Sequence, residues 1–251
     1  MPSTEKVLLV TGGSRGIGAA TARLAAEQGW AVAVNFVGHS LAADEVVRAI
    51  RARGGSAITV QADVSDETQV VRMFEKVDAK LGRLSGLVNN AGVVDVSARV
   101  DEMGAARIRR LFDINVLGSF LCAREAVRRM STRHGGAGGA IVNVSSAASR
   151  LGSPGQYVDY AASKGAVDAF TIGLAREVAA EGVRVNAVRP GLIDTEIHAS
   201  GGLPDRVAQL RHQVPMQREG TPEEVAQAIV WLLSDAASYT TMSLIDVSGG
   251  R

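Results

Sequence analysis

The stretch VLLVTGGSRGIGAATARLAAEQG, residues 7–29, passes from an apolar run through a glycine-rich turn into a helical pattern. Its glycines Gly12, Gly16 and Gly18 are spaced G-x3-G-x-G. Such a turn needs residues that tolerate positive φ, and a backbone without Cβ atoms can come close to a pyrophosphate. The helix that follows presents free N–H groups and the positive end of its dipole to the same anion. The stretch predicts a dinucleotide site, with a purely structural tight turn as the alternative.

The same succession of apolar run and amphipathic helix continues along the whole chain. We expect strands within residues 6–12, 30–36, 56–64, 86–92, 140–146, 184–191 and 244–250. Helices are expected near residues 17–29, 40–53, 66–81, 104–132, 156–181 and 222–235, the last starting with Thr221, Pro222 and Glu224 as a capping box. Near-continuous apolar strands that alternate with helices predict one α/β domain over residues 1–251, a Rossmann-type doubly wound fold with a seven-stranded parallel sheet.

Composition excludes several classes of protein. The 251 residues are 46% hydrophobic, with a net charge of +1, which gives no reason to expect a nucleic-acid partner. Cys122 is the only cysteine, the four histidines are scattered, and no run approaches a membrane span, so we expect no disulfide, no metal site and a cytoplasmic protein. Arg107, Arg109 and Arg110 fall in one predicted helix, where a solvated or salt-bridged face is the expectation.

The cofactor's phosphorylation state depends on the residues that follow the second strand. NAD sites usually place an Asp or Glu there for the ribose 2′-hydroxyl, but this strand ends with Asn35, and no carboxylate comes before Asp44. Arg15, inside the glycine loop, could face a 2′-phosphate. A charge-assisted hydrogen bond of about 1.5–3 kcal/mol would then favour the phosphorylated cofactor. The sequence predicts NADP(H), with NAD(H) possible if Arg15 points to solvent.

A tyrosine and a lysine one helical turn apart suggest proton transfer. Tyr160 and Lys164 are i and i+4 in a predicted helix and share one face, whereas Tyr157 has Ala161 at that spacing. An ammonium nearby lowers the pKa of a phenol from its usual value of about 10, which makes a general acid/base for neutral pH. The spacing alone recurs by chance, so a surface pair is the alternative. Ser145 and Ser146 end another strand, on the edge where ligands bind.

Taken together, these motifs resemble the short-chain dehydrogenase/reductase family. TGGSRGIG, NNAG, Asn115, Ser146, YAASK and RPGLIDT occur in the family's order, and the likeness runs from Val7 to Gly250. The chain is most similar to the glucose dehydrogenase and 3-oxoacyl carrier-protein reductase groups. The resemblance implies hydride transfer between a nicotinamide and a carbonyl or alcohol carbon of a small-molecule substrate. It also implies a homotetramer, in which the helices near 104–132 and 156–181 pack across twofold axes.

The resemblance assigns roles to residues. Tyr160 exchanges the proton, Lys164 lowers its pKa and holds the nicotinamide ribose, Ser146 orients the substrate oxygen, and Asn115 holds a relay water. The expected cofactor contacts are Gly12, Ser14, Arg15, Gly16, Ile17, Gly18, Asn35, Asp63, Val64, Asn90, Ala91, Gly92, Tyr160, Lys164, Pro190, Gly191, Ile193 and Thr195. The spacing from Ser146 to Tyr160 is one residue longer than usual in the family, so Ser145 stays an alternative catalytic serine.

Other expectations are less specific. Met242 stands where relatives usually carry glycine, which implies strain if the position needs positive φ. Residues 194–206 follow a strand end and are a candidate lid. The substrate is left open between small carbonyl compounds, a sugar, and an acyl carrier protein. Glu181 at the end of the tyrosine helix disfavours an acidic partner, whereas Arg128, Arg129 and Arg133 favour one. A non-catalytic, NADP-binding regulatory module is the alternative outside enzymes.

Overall fold

The chain forms a single parallel sheet with helices on both faces. The computed structural model describes residues 6–196, 201–202 and 206–251, without the side chain of Arg206. The strands are β1 (Lys6–Val10), β2 (Trp30–Phe36), β3 (Ala57–Gln61), β4 (Leu84–Asn89), β5 (Gly139–Val144), β6 (Val183–Pro190) and β7 (Leu244–Val247). Their order is β3-β2-β1-β4-β5-β6-β7, and every neighbouring pair is parallel. The predicted Rossmann-type, seven-stranded parallel fold is confirmed.

Helices cover the two faces of this sheet. They are α1 (Gly16–Glu27), α2 (Ser40–Ala52), α3 (Glu67–Leu81), α4 (Ala105–Phe112), α5 (Gly118–Met130), α6 (Ala148–Leu151), α7 (Val158–Val178), α8 (Arg206–Leu210) and α9 (Pro222–Leu233). Leu8 and Val10 of β1 belong to the core under α1, α2 and α9, whereas Val7 and Leu9 belong to the core under α3, α5 and α7. Because successive strand residues point to opposite faces, a continuous apolar strand fills both layers.

Two long helices differ from their predicted bounds. The expected helix over 104–132 is interrupted by a π-helical turn, Asp113–Leu117, which separates α4 from α5. Such a turn adds a residue to the helix and is common at functional sites. The expected helix over 156–181 begins later, at Val158, after a turn in which Gly152, Ser153 and Gly155 have positive φ. That turn lies between Ser146 and Tyr160, where the sequence is one residue longer than is usual in the family that it resembles. The short helices α6 and α8 carried no clear periodic signal.

Two local features, the start of α9 and the backbone at Met242 before β7, agree with expectations from the sequence. Thr221 accepts a hydrogen bond from the backbone N–H of Glu224, whose carboxylate accepts one from the Thr221 N–H, as the capping-box prediction requires. Met242 has a φ of 63°, a left-handed conformation that favours glycine. The sequence predicted strain at Met242 if this position had a positive φ, and the structure gives it one.

Candidate functional site

A large cavity opens at the carboxyl ends of the strands. Its volume is about 980 Å³, and residues after β1, β4, β5 and β6 line it. The strand order reverses between β1 and β4, which is where ligands bind in doubly wound sheets. Of the residues predicted for catalysis or cofactor binding, all but Gly18 and Asn115 lie on the cavity wall.

The glycine loop has the geometry that its spacing predicts. Gly12 and Gly16 have φ of 59° and 52°, values that a side chain would strain. A Cβ on Gly18 would lie 2.4 Å from the carbonyl oxygen of Gly12, so this third glycine permits α1 to pack against the loop. Gly18 therefore shapes the loop from behind, while Gly12 and Gly16 lie on the cavity itself.

Two asparagines fix this loop to the neighbouring strands. The Asn35 side chain is 1% exposed; its Oδ1 accepts from the Gly12 N–H and its Nδ2 donates to the carbonyls of Val60 and Ala62. Asn90 donates from Nδ2 to the carbonyl of Gly12 at 2.9 Å. Because its amide is engaged on both sides, Asn35 determines where the loop lies, a role that strand-end position alone did not reveal.

Among the described residues, no Asp or Glu directly follows β2 on the cavity wall. At this end of the cavity, the wall includes Phe36, Val37, Gly38 and His39. Asp63 also lines it, but its Oδ1 accepts hydrogen bonds from the N–H and the hydroxyl of Ser65. Arg15 lies on the same wall as the exposed residue before α1, and no described residue forms an ion pair with it. This end therefore combines a guanidinium that has no ion-pair partner among the described residues with a β2 end that carries no carboxylate.

Lys164 is buried beside the ring of Tyr160. Its side chain is 4% exposed; Nζ donates to the Val144 carbonyl at 2.7 Å and lies 5.6 Å from the Tyr160 ring centroid. Burial lowers the pKa of Lys164 to about 8, partly opposed by the charge of Asp168. A Cβ on Gly92 would lie 3.5 Å from Nζ, so the glycine leaves the ammonium open to the cavity.

The two tyrosines have different surroundings. Tyr157 is 2% exposed and donates its hydroxyl to the carbonyl of Gly201 at 3.1 Å. A Cβ on Gly201 would lie 2.9 Å from that hydroxyl, so the contact needs glycine. Tyr160 also lines the cavity, on the same helix face as Lys164. Tyr157 therefore holds part of the proposed lid, of which residues 197–200 and 203–205 lie outside the described residues.

The two candidate serines also separate in space. Ser145 is 2% exposed and donates its hydroxyl to the backbone carbonyl of Lys164 at 3.2 Å. Ser146 is partly exposed to the cavity, where its hydroxyl accepts from the Ala148 N–H at 3.1 Å and keeps its own proton available. The geometry favours Ser146 as the residue that meets a substrate oxygen.

Asn115 does not line the cavity but hydrogen-bonds Val93, which does. It lies in the π-turn and is fully buried. Its Oδ1 accepts from the N–H of Val93 at 2.8 Å, and its Nδ2 donates to the Val93 carbonyl and to the hydroxyl of Ser163. The side chain thus joins the segment after β4 to α7, one residue before Lys164.

A second bridge between the same two elements was not predicted. Arg107 donates to Asp159 through Nε at 2.7 Å and through Nη2 at 3.3 Å, and to the carbonyl of Val96 through Nη1. The side chains are 14% and 2% exposed, and Asp159 also accepts from the N–H of Tyr160 at 2.9 Å. This hydrogen bonding raises the pKa of Arg107. The sequence could show an arginine cluster, but not which arginine pairs with the buried carboxylate of Asp159.

Two further expectations concern metals and membranes. Within the ranges that the structure describes, no group of three or more His, Cys, Asp or Glu side chains is arranged to hold a metal ion. The described helices also include none both long and apolar enough to cross a bilayer. Cys122 is fully buried, and burial raises the pKa of its thiol.

Comparison with known proteins now identifies the family. The profile of the family described as enoyl-(acyl carrier protein) reductase matches residues 12–251. An uncharacterized oxidoreductase of Escherichia coli is 60% identical over 245 residues, which cover 98% of this chain and 99% of the relative. The chain belongs to the short-chain dehydrogenase/reductase family. This short-chain dehydrogenase/reductase is accordingly an enzyme that acts on CH–OH or C=O groups.

Other relatives share the fold but differ in their named substrates. A cis-4-hydroxycyclohexanecarboxylate dehydrogenase of Sinomonas cyclohexanicum is 44% identical, with 98% of this chain and 96% of the relative covered. A 3-oxoacyl-[acyl-carrier-protein] reductase of Synechocystis is 40% identical, with coverages of 98% and 97%. The crystal structure of a dehydrogenase/reductase from Sinorhizobium meliloti superposes with a TM-score of 0.90 at 32% identity, covering 98% and 94% of the two chains.

Proposed function

We propose that the enzyme is an NADP(H)-dependent oxidoreductase that interconverts a carbonyl and an alcohol on a small molecule. The observation that carries the proposal is that Tyr160 and Lys164 lie on one wall of the cavity that also contains the glycine loop. The glycines at 12 and 16 have the backbone geometry that a pyrophosphate requires, and Gly92 leaves space beside Lys164, so the residues fit a dinucleotide. When bound, the nicotinamide supplies or accepts the hydride.

The chain's own residues supply orientation and a proton. In the reducing direction, the hydroxyl of Ser146 donates a hydrogen bond to the carbonyl oxygen, which polarises the carbonyl. As hydride reaches the carbon, Tyr160 gives its proton to that oxygen, and the carbonyl becomes an alcohol. The nearby ammonium of Lys164 stabilises the resulting phenolate, and its remaining N–H groups suit ribose hydroxyls. Asn115 fixes Val93 and Ser163 beside this group.

The preference for NADP(H) rests on the cavity end beside β2. There, Arg15 has no ion-pair partner among the described residues, and the residues that follow β2 on the cavity wall, Val37, Gly38 and His39, include no carboxylate for a ribose 2′-hydroxyl. We test this by titrating the purified protein with NADPH and with NADH while following nicotinamide fluorescence. NADPH should bind at least about tenfold more tightly. Arg15→Gln should remove this difference by weakening NADPH alone, with NADH as the internal control. Equal affinities in the unaltered protein would overturn the preference.

Tyr160→Phe tests the reaction itself. The phenol is the only proton donor proposed for the substrate oxygen, so turnover should fall by about 10²–10⁴-fold while NADPH affinity is retained. Full turnover in this variant on any carbonyl substrate would refute the assignment. If the unaltered protein binds NADPH and turns over no carbonyl or alcohol in a broad panel, the non-catalytic regulatory module becomes the better account.

A 3-oxoacyl-(acyl-carrier-protein) reductase is the second candidate, because relatives carry that name. Docking would need free cations on the surface, but Arg128 and Arg129 each form ion pairs with Glu125, and Arg133 lies 4.0 Å from Glu181. Engaged arginines attract an acidic partner less strongly. The small-molecule proposal is therefore favoured over the carrier protein. Glucose or sugar dehydrogenation, named for a relative that is 36% identical, is tested in the same substrate panel.

The homotetramer and the cytoplasmic location stay predictions. On the outer side of α5, Phe120 is 46% exposed and stacks on Phe170 of α7 at 3.8 Å between centroids. A Cβ on Gly165 or Gly173 of α7 would meet nothing within 4 Å, so a second helix could approach there. Such apolar, closely approachable faces suit a twofold interface. A monomer by light scattering at micromolar concentration would refute the tetramer, and cell fractionation tests the location.

A further inference from the structure

The charges on the cavity wall indicate which kind of substrate the enzyme takes. Among the described residues, the acidic and basic side chains that line the cavity are Arg15, His39, Asp63, Arg110, Lys164, Glu196 and Arg251. Their positions divide them between the cofactor end and the end where Tyr160 meets the substrate.

Four of these side chains belong to the cofactor end. Arg15, His39 and Asp63 follow β1, β2 and β3. Glu196 lies against the glycine loop, with its Oε2 at 3.8 Å from the place where a Cβ on Gly16 would stand.

Two further charges are already engaged. Lys164 is buried and donates to the Val144 carbonyl. Arg110 lies 3.6 Å from the carboxylate of Asp95 in a largely exposed ion pair. Arg251 is the remaining cation on the wall. Among the described residues, its guanidinium has neither an ion pair nor a hydrogen bond.

The backbone of Arg251 is held beside the predicted nicotinamide site. Its main-chain oxygen accepts hydrogen bonds from the hydroxyl of Ser248 at 2.8 Å and from Nη2 of Arg150 at 3.2 Å, and its N–H donates to the Ser248 carbonyl at 3.3 Å. Ser248 packs on Gly191, where a Cβ would lie 2.7 Å from the Ser248 Cα. Through Ser248, Arg251 is therefore connected to Gly191, a residue predicted to contact the nicotinamide.

The wall around the substrate end is otherwise rich in apolar groups. Val93 and Val94 contribute from the segment after β4, Leu151 and Pro154 from the segment after β5, and Leu210 from α8. Such a surface suits a hydrocarbon body, and it strengthens the electrostatic attraction of a cation for an anion by excluding water.

We propose that the substrate carries a carboxylate, which Arg251 binds while Tyr160 and Ser146 hold the reacting oxygen. A guanidinium matches a carboxylate through two parallel hydrogen bonds, and this match distinguishes an acid from its neutral analogue. The substrate class is then an oxo acid, or the corresponding hydroxy acid, with an apolar body between its two polar ends. This inference rests on the proposed carbonyl reduction.

The test compares oxo acids of increasing chain length with their own carboxamides. Each amide has the shape of the acid but lacks its charge, and rates are measured with NADPH. For the best chain length, the ratio of kcat/KM for the acid to that for the amide should be about ten to a hundred, as one charge-assisted hydrogen bond gives. Arg251→Gln should reduce the ratio to near one, and Arg251→Lys should keep part of it. The ratio cancels any general loss of folded enzyme.

Arg48→Gln is the matched control. Arg48 is exposed on α2 and does not line the cavity, and its substitution removes the same charge. It should leave the ratio unaltered. If acid and amide react equally well in the unaltered enzyme, or if the ratio survives in Arg251→Gln, this inference is wrong while the proposed carbonyl chemistry stands. If no ketone of either kind is reduced, the proposed function fails and this inference fails with it.

Discussion

Replacing Arg107 by Gln should weaken both the fold and the catalytic step. Arg107 of α4 holds the carboxylate of Asp159 in the first turn of α7 and the carbonyl of Val96 in the segment after β4. Asp159 in turn accepts from the N–H of Tyr160. We infer that Arg107 is a positioning residue, which does not line the cavity but joins α7, the helix that carries Tyr160 and Lys164, to the segment after β4.

The expected magnitude follows from the burial of the pair. Removing one partner of a buried ion pair leaves the other charge without compensation and costs about 3–5 kcal/mol. Asp159 is 2% exposed but keeps its hydrogen bond from Tyr160, so we expect the lower end, about 3 kcal/mol. For a chain of this size, that corresponds to a fall in Tm of about 6–12 °C. Because a misplacement of about 1 Å can cost about a hundredfold in rate, kcat should fall by at least about tenfold.

The assay combines thermal unfolding with steady-state kinetics at saturating NADPH. Arg109→Gln is the matched control, because Arg109 is exposed on the same helix and carries the same charge. Arg107→Lys should recover part of the kcat, and the cofactor affinity should stay within about twofold in all three variants, since none contacts the glycine loop. If Arg107→Gln lowers Tm and kcat no more than Arg109→Gln does, the positioning role is refuted.

Three further variants test other parts of the account. Lys164→Met should abolish turnover. It should also raise the free energy of unfolding by up to about 3 kcal/mol below pH 8. The reason is that burial lowers the pKa of Lys164 from its ordinary value of 10.5 to about 8, and each pKa unit corresponds to about 1.4 kcal/mol. That gain should shrink as pH rises from 8 towards 10.5, where the unfolded lysine also loses its proton; a gain independent of pH in denaturant titrations would contradict this. Met242→Gly should raise stability by about 1 kcal/mol, since φ is 63° there, and an unchanged or lower Tm would count against strain. Tyr157→Phe should keep measurable kcat but raise KM, since it removes only the hydrogen bond to Gly201; a loss as large as that of Tyr160→Phe would reverse the roles of the two tyrosines.

Much of the fold could be predicted because its signals are local. All seven strands were expected in the right places, since continuous apolar runs mark strands buried on both faces. The capping box at Thr221 and the glycine loop depend on residues within one turn of each other, so spacing was sufficient. The interruption of the helix near Asn115 was missed, because a π-turn keeps the apolar pattern and depends on the distant partners Val93 and Ser163.

At the candidate site, the sequence predicted which residues lie at the cavity better than it predicted which atoms their side chains contact. The shared face of Tyr160 and Lys164 follows from helical spacing, and their catalytic roles stay predictions for the assays above. Asn35 was assigned to the cofactor from its place at a strand end, yet its amide is used by Gly12, Val60 and Ala62. Strand position fixes where a residue lies, but hydrogen-bond partners from neighbouring strands decide what its side chain does.

The sequence by itself determined the parallel α/β sheet, the glycine loop at the end of β1, and the lysine one helical turn after a tyrosine. Each of these depends on residues a few positions apart, whose relative geometry the helix, strand or turn already fixes. Only the tertiary structure decided that Arg107 is largely buried while Arg109 is exposed, and that Ser248, which hydrogen-bonds Arg251, packs on Gly191. Those outcomes depend on packing between elements tens to hundreds of residues apart, where chain distance gives no information about contact.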